Sequence, residues 1–293
     1  MKLNSKLNMK TIFVSGATSG FGLRIVQHFV EVGFNVIFCG RNADLVASVL
    51  DDLLKKSTHN QIIKGFQADV TSQSDLEVMF AELRTLNINI DVLICNAGVI
   101  GPIENFVGTD FENWREAFEI NLYGTVNLIK FVLPSMVTAS SGKILHISGG
   151  GATAPLPSMS GYAASKAATV RFIETIALEH LNDGVQINSI APGMLKTRML
   201  EQMLEAGPER IGANLFDKST RKQREISDST PKAIELLDFL AGDGSIGITG
   251  KLISAEWDAW KNWPQHLEEL KSSDLFTLRR IAGRDRDQSW GDI

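Results

Sequence analysis

The chain is poor in cysteine, with two residues in 293. That excludes a disulfide framework. Cys39 and Cys95 each close a strand-like run and read as reduced, buried thiols. There is no excess of positive charge either. The net charge of −5 argues against nucleic acid as a partner. The start, Met1 to Lys10, is polar and lacks the apolar core of a secretion signal. No apolar run approaches the length of a membrane span. The first 255 residues contain no internal repeat, low-complexity linker or break in composition. These absences predict a soluble cytoplasmic protein without a membrane partner, long enough for one large core.

What is present is alternation. Apolar runs at 11–14, 35–39, 62–66, 92–94, 144–147, 185–190 and 251–254 read as strands. Helical patterns lie between them, at 20–32, 42–56, 74–85, 112–138, 162–181 and 231–240. The runs lack a polar-apolar alternation, so their strands are buried on both faces, as in a parallel sheet. Right-handed crossovers then give a doubly wound, Rossmann-type α/β fold with helices on both faces. Gly16, Asn96, Ser148 and Pro192 all fall at the carboxyl ends of strands, where ligands of such sheets bind.

Two motifs carry chemistry. Ser15-Gly16-Ala17-Thr18-Ser19-Gly20-Phe21-Gly22 follows the first strand and opens the amphipathic run 23–32. Glycines allow a tight turn and close approach to a pyrophosphate, which sits on the helix N-terminus. The spacing is Gly-x-x-x-Gly-x-Gly, different from the common dinucleotide fingerprint. Further on, Tyr162-Ala163-Ala164-Ser165-Lys166 sets a phenol and an ammonium on one face of a helix. The cation favours the phenolate, so the tyrosine pKa is expected to fall from about 10 towards neutrality. Such a group suits general acid/base work on a carbonyl or alcohol.

Together these motifs resemble the short-chain dehydrogenase/reductase family. Asp69-Val70, Cys95-Asn96-Ala97-Gly98, Asn121-Leu122-Tyr123-Gly124 and Pro192-Gly193 extend the resemblance across roughly residues 10–253. It implies hydride transfer between a nicotinamide cofactor and a small-molecule secondary alcohol or ketone. Tyr162 would protonate the substrate oxygen. Lys166 would bond the nicotinamide ribose and lower the tyrosine pKa, and Asn121 would hold a water linking Lys166 to solvent. The glycine loop, with Thr18, Ser19 and Phe21, would cradle the pyrophosphate. Asp69 and Val70 would contact the adenine. Asn96 would lie beneath the adenosine ribose and hold the neighbouring strand, with Ala97 and Gly98 beside it. Thr197 would bond the carboxamide or a phosphate. The second strand ends in Gly40-Arg41-Asn42 and has no acid until Asp44. Arg41 offers a fork for a 2′-phosphate, which implies NADP(H) over NAD(H).

The chain departs from the family pattern in two places. The family places its catalytic serine thirteen residues before the tyrosine, where this chain has Gly149. Either Ser148 moves into that role, or the site lacks the hydroxyl; Ser158 and Ser160 are weaker stand-ins. After 254 the usual Asp-Gly-Gly is replaced by Ala255-Glu256-Trp257-Asp258-Ala259-Trp260. The chain thus divides into a polar extension 1–10, an NADP(H)-binding catalytic domain 11–254 with a candidate substrate lid 194–230, and an atypical tail 255–293. The tail's Trp263 and Trp290 are expected to pack on the domain or on a neighbouring subunit. Phe118, Leu122, Val126, Ile129, Val170, Ile173 and Leu178 spread over more than one face of their helices, which predicts a homo-oligomer, a dimer or tetramer. Lys218, Arg221, Lys222 and Arg224 form either a solvated helix face or a cluster that attracts an anionic substrate. The competing functions are a cofactor-binding module with weak or no catalysis and an oxidoreductase acting on a nucleotide-linked sugar.

Overall fold

The computed structural model describes residues 9–58, 60–225 and 230–288. Residues 1–8 of the extension, 226–229 of the lid segment and Trp290 lie outside the described residues. Seven parallel strands form one sheet: β1 (Thr11–Ser15), β2 (Asn35–Gly40), β3 (Ile63–Gln67), β4 (Val92–Cys95), β5 (Gly142–Ile147), β6 (Val185–Ala191) and β7 (Leu252–Ser254). Their spatial order is β3-β2-β1-β4-β5-β6-β7, so the winding reverses between β1 and β4. The register runs Ile12 against Val36 on one side of β1 and against Val92 on the other. All seven predicted strands are present, and the doubly wound α/β fold is the one expected.

The helices are α1 (Gly20–Glu31), α2 (Ala43–Lys56), α3 (Gln73–Thr85), α4 (Phe111–Phe118), α5 (Gly124–Thr138), α6 (Ser160–Glu179), α7 (Arg198–Ala206), α8 (Pro208–Ile211), α9 (Ala213–Arg224), α10 (Thr230–Ala241) and α11 (Leu267–Ser272). Three of them start where a side chain caps free backbone amides. Asn42 accepts from Leu45 N at 2.9 Å, Ser72 from Asp75 N at 3.3 Å, and Asp110 from Asn113 N at 2.9 Å. Strand side chains alternate between two cores. Ile12 and Val14 join the core beneath α1, α2 and α10, while Phe13 joins the core beneath α3, α5 and α6.

The predicted helix at 112–138 is not regular. A π-helical turn, Glu119–Tyr123, separates α4 from α5. Its cause is Asn121, which turns inward and bonds across to the chain after β4. Oδ1 accepts from Val99 N at 2.8 Å, and Nδ2 donates to Val99 O at 3.0 Å. Gly124 permits the close approach that follows, since a Cβ there would lie 2.5 Å from Val70 Cγ2. By length and composition the run Phe111–Thr138 is enough to cross a membrane, contrary to the sequence expectation. Here its Leu128, Ile129, Val132 and Met136 are buried against the sheet.

The tail packs on its own chain. Trp260 and Trp263 are buried, Trp260 meets Phe239 at 5.2 Å, and Trp263 meets Phe276 at 4.2 Å. The chain then crosses the outer edge of β7, where Leu252 N donates to Phe276 O at 2.8 Å. Lys251 Nζ donates to Leu275 O at 2.9 Å, and Leu278 N to the buried Glu174 Oε1 at 2.6 Å. An otherwise open sheet edge is thereby covered.

Candidate active site

The carboxyl ends of the strands open into a cleft of about 1840 Å³. Its floor begins at the turn after β1. Gly16 and Gly20 have φ of +64° and +55°, which a side chain would strain. A Cβ on Gly22 would lie 2.3 Å from Gly16 O and 2.5 Å from Asn96 Nδ2. The turn is held from below: Asn96 Nδ2 donates to Ser15 O at 3.0 Å and Gly16 O at 3.1 Å. Asn96 thus locks the turn and the neighbouring strand. Thr18 packs its methyl group under Gly40, where a Cβ would meet it at 2.5 Å. Ser19 precedes α1 without a side-chain cap bond and lies exposed on the cleft.

The far end of this wall lies at β2. Arg41 is exposed on the cleft, with its guanidinium 3.9 Å from Asp69 Oδ2. Asp69 also ties its own turn, accepting from Thr71 N at 2.8 Å. Val70, Ala97, Gly98, Pro192, Gly193 and Thr197 all line the same cleft. Thr197 opens α7 and its side chain reaches Gly20, whose Cβ would be 3.6 Å from Thr197 Cγ2. A cradle of backbone with no room for side chains, an exposed cation at one end and the orphaned, buried hydroxyl of Ser148 are a donor set that fits a nicotinamide dinucleotide.

Tyr162 and Lys166 lie together on the inward face of α6, at the inner end of the cleft. The phenol is buried and pushed up to about 12 by desolvation, opposite to the expected fall. Burial of the phenol is the cause, and beside it lies Lys166. Its Nζ donates to Ile147 O at 2.7 Å at the end of β5, and burial pushes its own pKa down to about 8. In the protein alone, loss of water outweighs the neighbouring charge. The amide donors of Asn121 are both committed, one to Val99 O and one to Ser165 Oγ at 2.9 Å. A Cβ on Gly98 would lie 3.1 Å from Asn121 Oδ1 and 3.5 Å from Lys166 Nζ, so the two atoms border one small space.

Position 149, not 148, faces the phenol. A Cβ on Gly149 would lie 2.3 Å from Tyr162 Oη, so the hydroxyl occupies the volume a serine would need. Ser148 N donates to Ile190 O at 2.7 Å, while its buried Oγ bonds no group among the described residues. Both stand-ins are engaged elsewhere. Ser158 Oγ donates to Arg210 O at 2.6 Å, and Ser160 Oγ accepts from Trp114 Nε1 at 3.0 Å.

The segment expected to be a lid forms α7, α8 and α9. Met199, Met203 and Leu215 pack with Leu156 against a small cluster containing Ile100, Met159, Tyr162 and Ile211. Sequence reasoning missed these wall residues, because helix periodicity shows that a face is apolar but not what it covers. It also missed Glu256, whose Oε1 would lie 2.5 Å from a Cβ on Gly193, and the exposed Trp257 on the cleft rim. Their signal was the departure from Asp-Gly-Gly.

Comparison with known proteins gives the family and the fold. The family model for short chain dehydrogenases matches residues 10–207. A D-beta-hydroxybutyrate dehydrogenase of Rhizobium meliloti is 28% identical over 262 residues, covering 85% of this chain and 99% of that protein. A dehydrogenase/reductase, SDR family member 7B, of Rattus norvegicus is 32% identical over 251 residues, covering 80% and 75% respectively. Among solved structures, an actinorhodin polyketide ketoreductase with NADPH superimposes with a TM-score of 0.75 at 26% identity, covering 84% of this chain and 95% of that one. An NAD+-bound xylitol dehydrogenase shares the fold at 23% identity with a TM-score of 0.73, covering 85% and 98%. With its parallel sheet, glycine turn and Tyr-x-x-x-Lys helix, the chain belongs to the short-chain dehydrogenase/reductase family of oxidoreductases.

Proposed function

We propose that this protein transfers a hydride between NADP(H) and a secondary alcohol or ketone, with Tyr162 as the general acid/base. The observation that carries this reading is the convergence of Tyr162, Lys166 and the glycine turn on one cleft. Gly16, Thr18, Ser19, Gly20 and Asn96 would hold the dinucleotide, and Arg41 its 2′-phosphate. When bound, the cofactor supplies or accepts the hydride. In reduction, Tyr162 Oη gives its proton to the substrate oxygen as the carbonyl carbon gains the hydride. The high phenol pKa keeps that proton in place at neutral pH. Lys166 and the space beside Gly98, which Asn121 Oδ1 borders, give a route for reprotonation. Arg41 in place of an acid supports NADP(H), although both NADPH- and NAD-bound proteins share the fold.

The test is Tyr162→Phe, which removes the proton and keeps the ring. Turnover across a panel of ketones should fall by about a hundredfold or more, the typical size of general acid/base catalysis, with NADP(H) affinity little changed. Turnover within tenfold of wild type would overturn the mechanism. Gly149 favours a second reading, a cofactor-binding module with weak or no catalysis, because the phenol fills the space a serine there would need and Ser148 Oγ bonds no group among the described residues.

Assembly as a homo-oligomer belongs to the same proposal, on reduced grounds. Ile129, Val170 and Ile173 are buried within the chain, and the tail bonds α6 at Arg171 and Glu174. Phe118, Leu122 and Val126 remain half-buried and Leu178 exposed. Light scattering should show a mass above the 32.1 kDa of one chain, and a monomer at micromolar concentration would overturn the proposal. Cys39 and Cys95 are free and buried, which supports work in a reducing compartment such as the cytoplasm.

A further inference from the structure

The cleft continues past Tyr162 along one face of α9. Leu215 packs in the apolar cluster that contains Tyr162, together with Met199 and Met203. On the same face, Lys218, Arg221 and Lys222 line the cleft, whereas Arg224, the fourth cation of the run, does not. With a rise of 1.5 Å per residue, Lys218 and Arg221 stand about 4.5 and 9 Å beyond Leu215 along the helix axis. Lys222 is ion-paired with Glu225 at 3.0 Å. Lys218 and Arg221 are exposed and form no ion pair among the described residues. A wall of methionine and leucine beside the phenol therefore runs into two cations that form no ion pair among the described residues. Methionine walls accept apolar bodies of varied shape. Cations at the rim recognise an anionic group and raise its local concentration.

We infer that the substrate is amphipathic: a ketone or secondary alcohol on an apolar chain that ends in an anionic group, with Lys218 and Arg221 binding that group. This inference rests on the oxidoreductase reading above and names the substrate class of the same site. A single neutral compound would leave both cations unused. A small, wholly polar anion would leave the apolar wall uncovered.

The cofactor's phosphates are the rival occupant of these charges, so the experiment separates the two. The probe is a medium-chain keto acid with its carbonyl at the penultimate carbon, compared with its methyl ester. Binding is titrated on Tyr162→Phe protein loaded with NADP(H), which separates binding from turnover. The acid should bind at least about tenfold more tightly than the ester, the size of one charge-assisted contact. Adding Lys218→Gln and Arg221→Gln should erase the difference, and so should high salt. Equal binding of acid and ester, or no binding of either, would overturn the inference. A loss of NADP(H) affinity in the triple variant as large as the loss for the acid would also overturn it, by assigning the cations to the cofactor. Tight, lysine- and arginine-dependent binding of the acid without reduction by the wild type would instead overturn the oxidoreductase reading alone.

Discussion

Gly149 offers the sharpest test of the site geometry. Its backbone is extended, with φ −170° and ψ 170°, so any residue can adopt it. What forbids a side chain is the phenol: a Cβ would sit 2.3 Å from Tyr162 Oη, but 3.3 Å from Cζ and 3.8 Å from Cε1. The ring is buried and packs in the cluster with Ile100, Met159 and Ile211, which limits how far it can slide. Gly149→Ala should therefore cost about 1–3 kcal/mol, as overpacking of a filled site does. In a Tyr162→Phe background the offending oxygen is gone. The remaining contact to Cζ needs a shift of a few tenths of an ångström. The reduced entropy of the unfolded chain then contributes about 0.4–1 kcal/mol in the opposite direction. The cost should fall close to zero, leaving a coupling of about 1–3 kcal/mol between the two positions. Urea unfolding of the four proteins measures it, provided the slopes agree. Additivity within about 0.5 kcal/mol would refute the geometry. Activity gives a second readout. Gly149→Ser restores the residue the family usually carries, but it must drive the phenol away by about an ångström. A misplacement of that size costs about a hundredfold in rate. A variant faster than wild type would show that the missing hydroxyl, rather than the position of the phenol, limits this site.

Two further outcomes follow from the same structure. Arg41→Ala should weaken NADP(H) binding by about 1–3 kcal/mol and leave NAD(H) nearly unaffected. The low end is expected because the guanidinium is 61% exposed and shares its field with Asp69; equal losses for both cofactors would contradict the assignment. Thermal stability of the cofactor-free protein should rise between about pH 7 and 8.5. Burial pushes Lys143 and Lys166 down to about 8, while unfolded lysines titrate near 10.4, so the unfolded chain binds more protons in this window. Each lysine contributes about 1 kcal/mol there, a few degrees in melting temperature. Near pH 9 the trend should flatten. Cys39, held at about 12 by burial, and Cys95, likewise pushed up by burial, stay protonated in the fold, while unfolded thiols ionise. A melting temperature that is flat or falling from pH 7 to 8.5 would contradict the burial of these amines.

The sequence alone determined the parallel sheet, the order of its strands along the chain, the glycine turn and the Tyr162-Lys166 pair. These are local properties. Apolar runs, glycines at a tight turn and residues four apart on a helix carry their meaning within a few positions. The tertiary structure decided the rest, because it depends on what lies across a gap. The π turn at Asn121 exists because Val99, 22 residues away, accepts and donates to its side chain. The tyrosine pKa rises because the phenol is buried, and Lys166 donates to Ile147 O; no i, i+4 spacing reveals either. The thirteen-residue spacing, which falls on Gly149, raised the doubt about Ser148. Only packing showed the reason, which is that the phenol fills the space above Gly149. The basic run on α9 read more readily as a solvated face. Three of its four cations turned out to border the cleft, because α9 lays Leu215 against the cluster around Tyr162 and carries those charges with it.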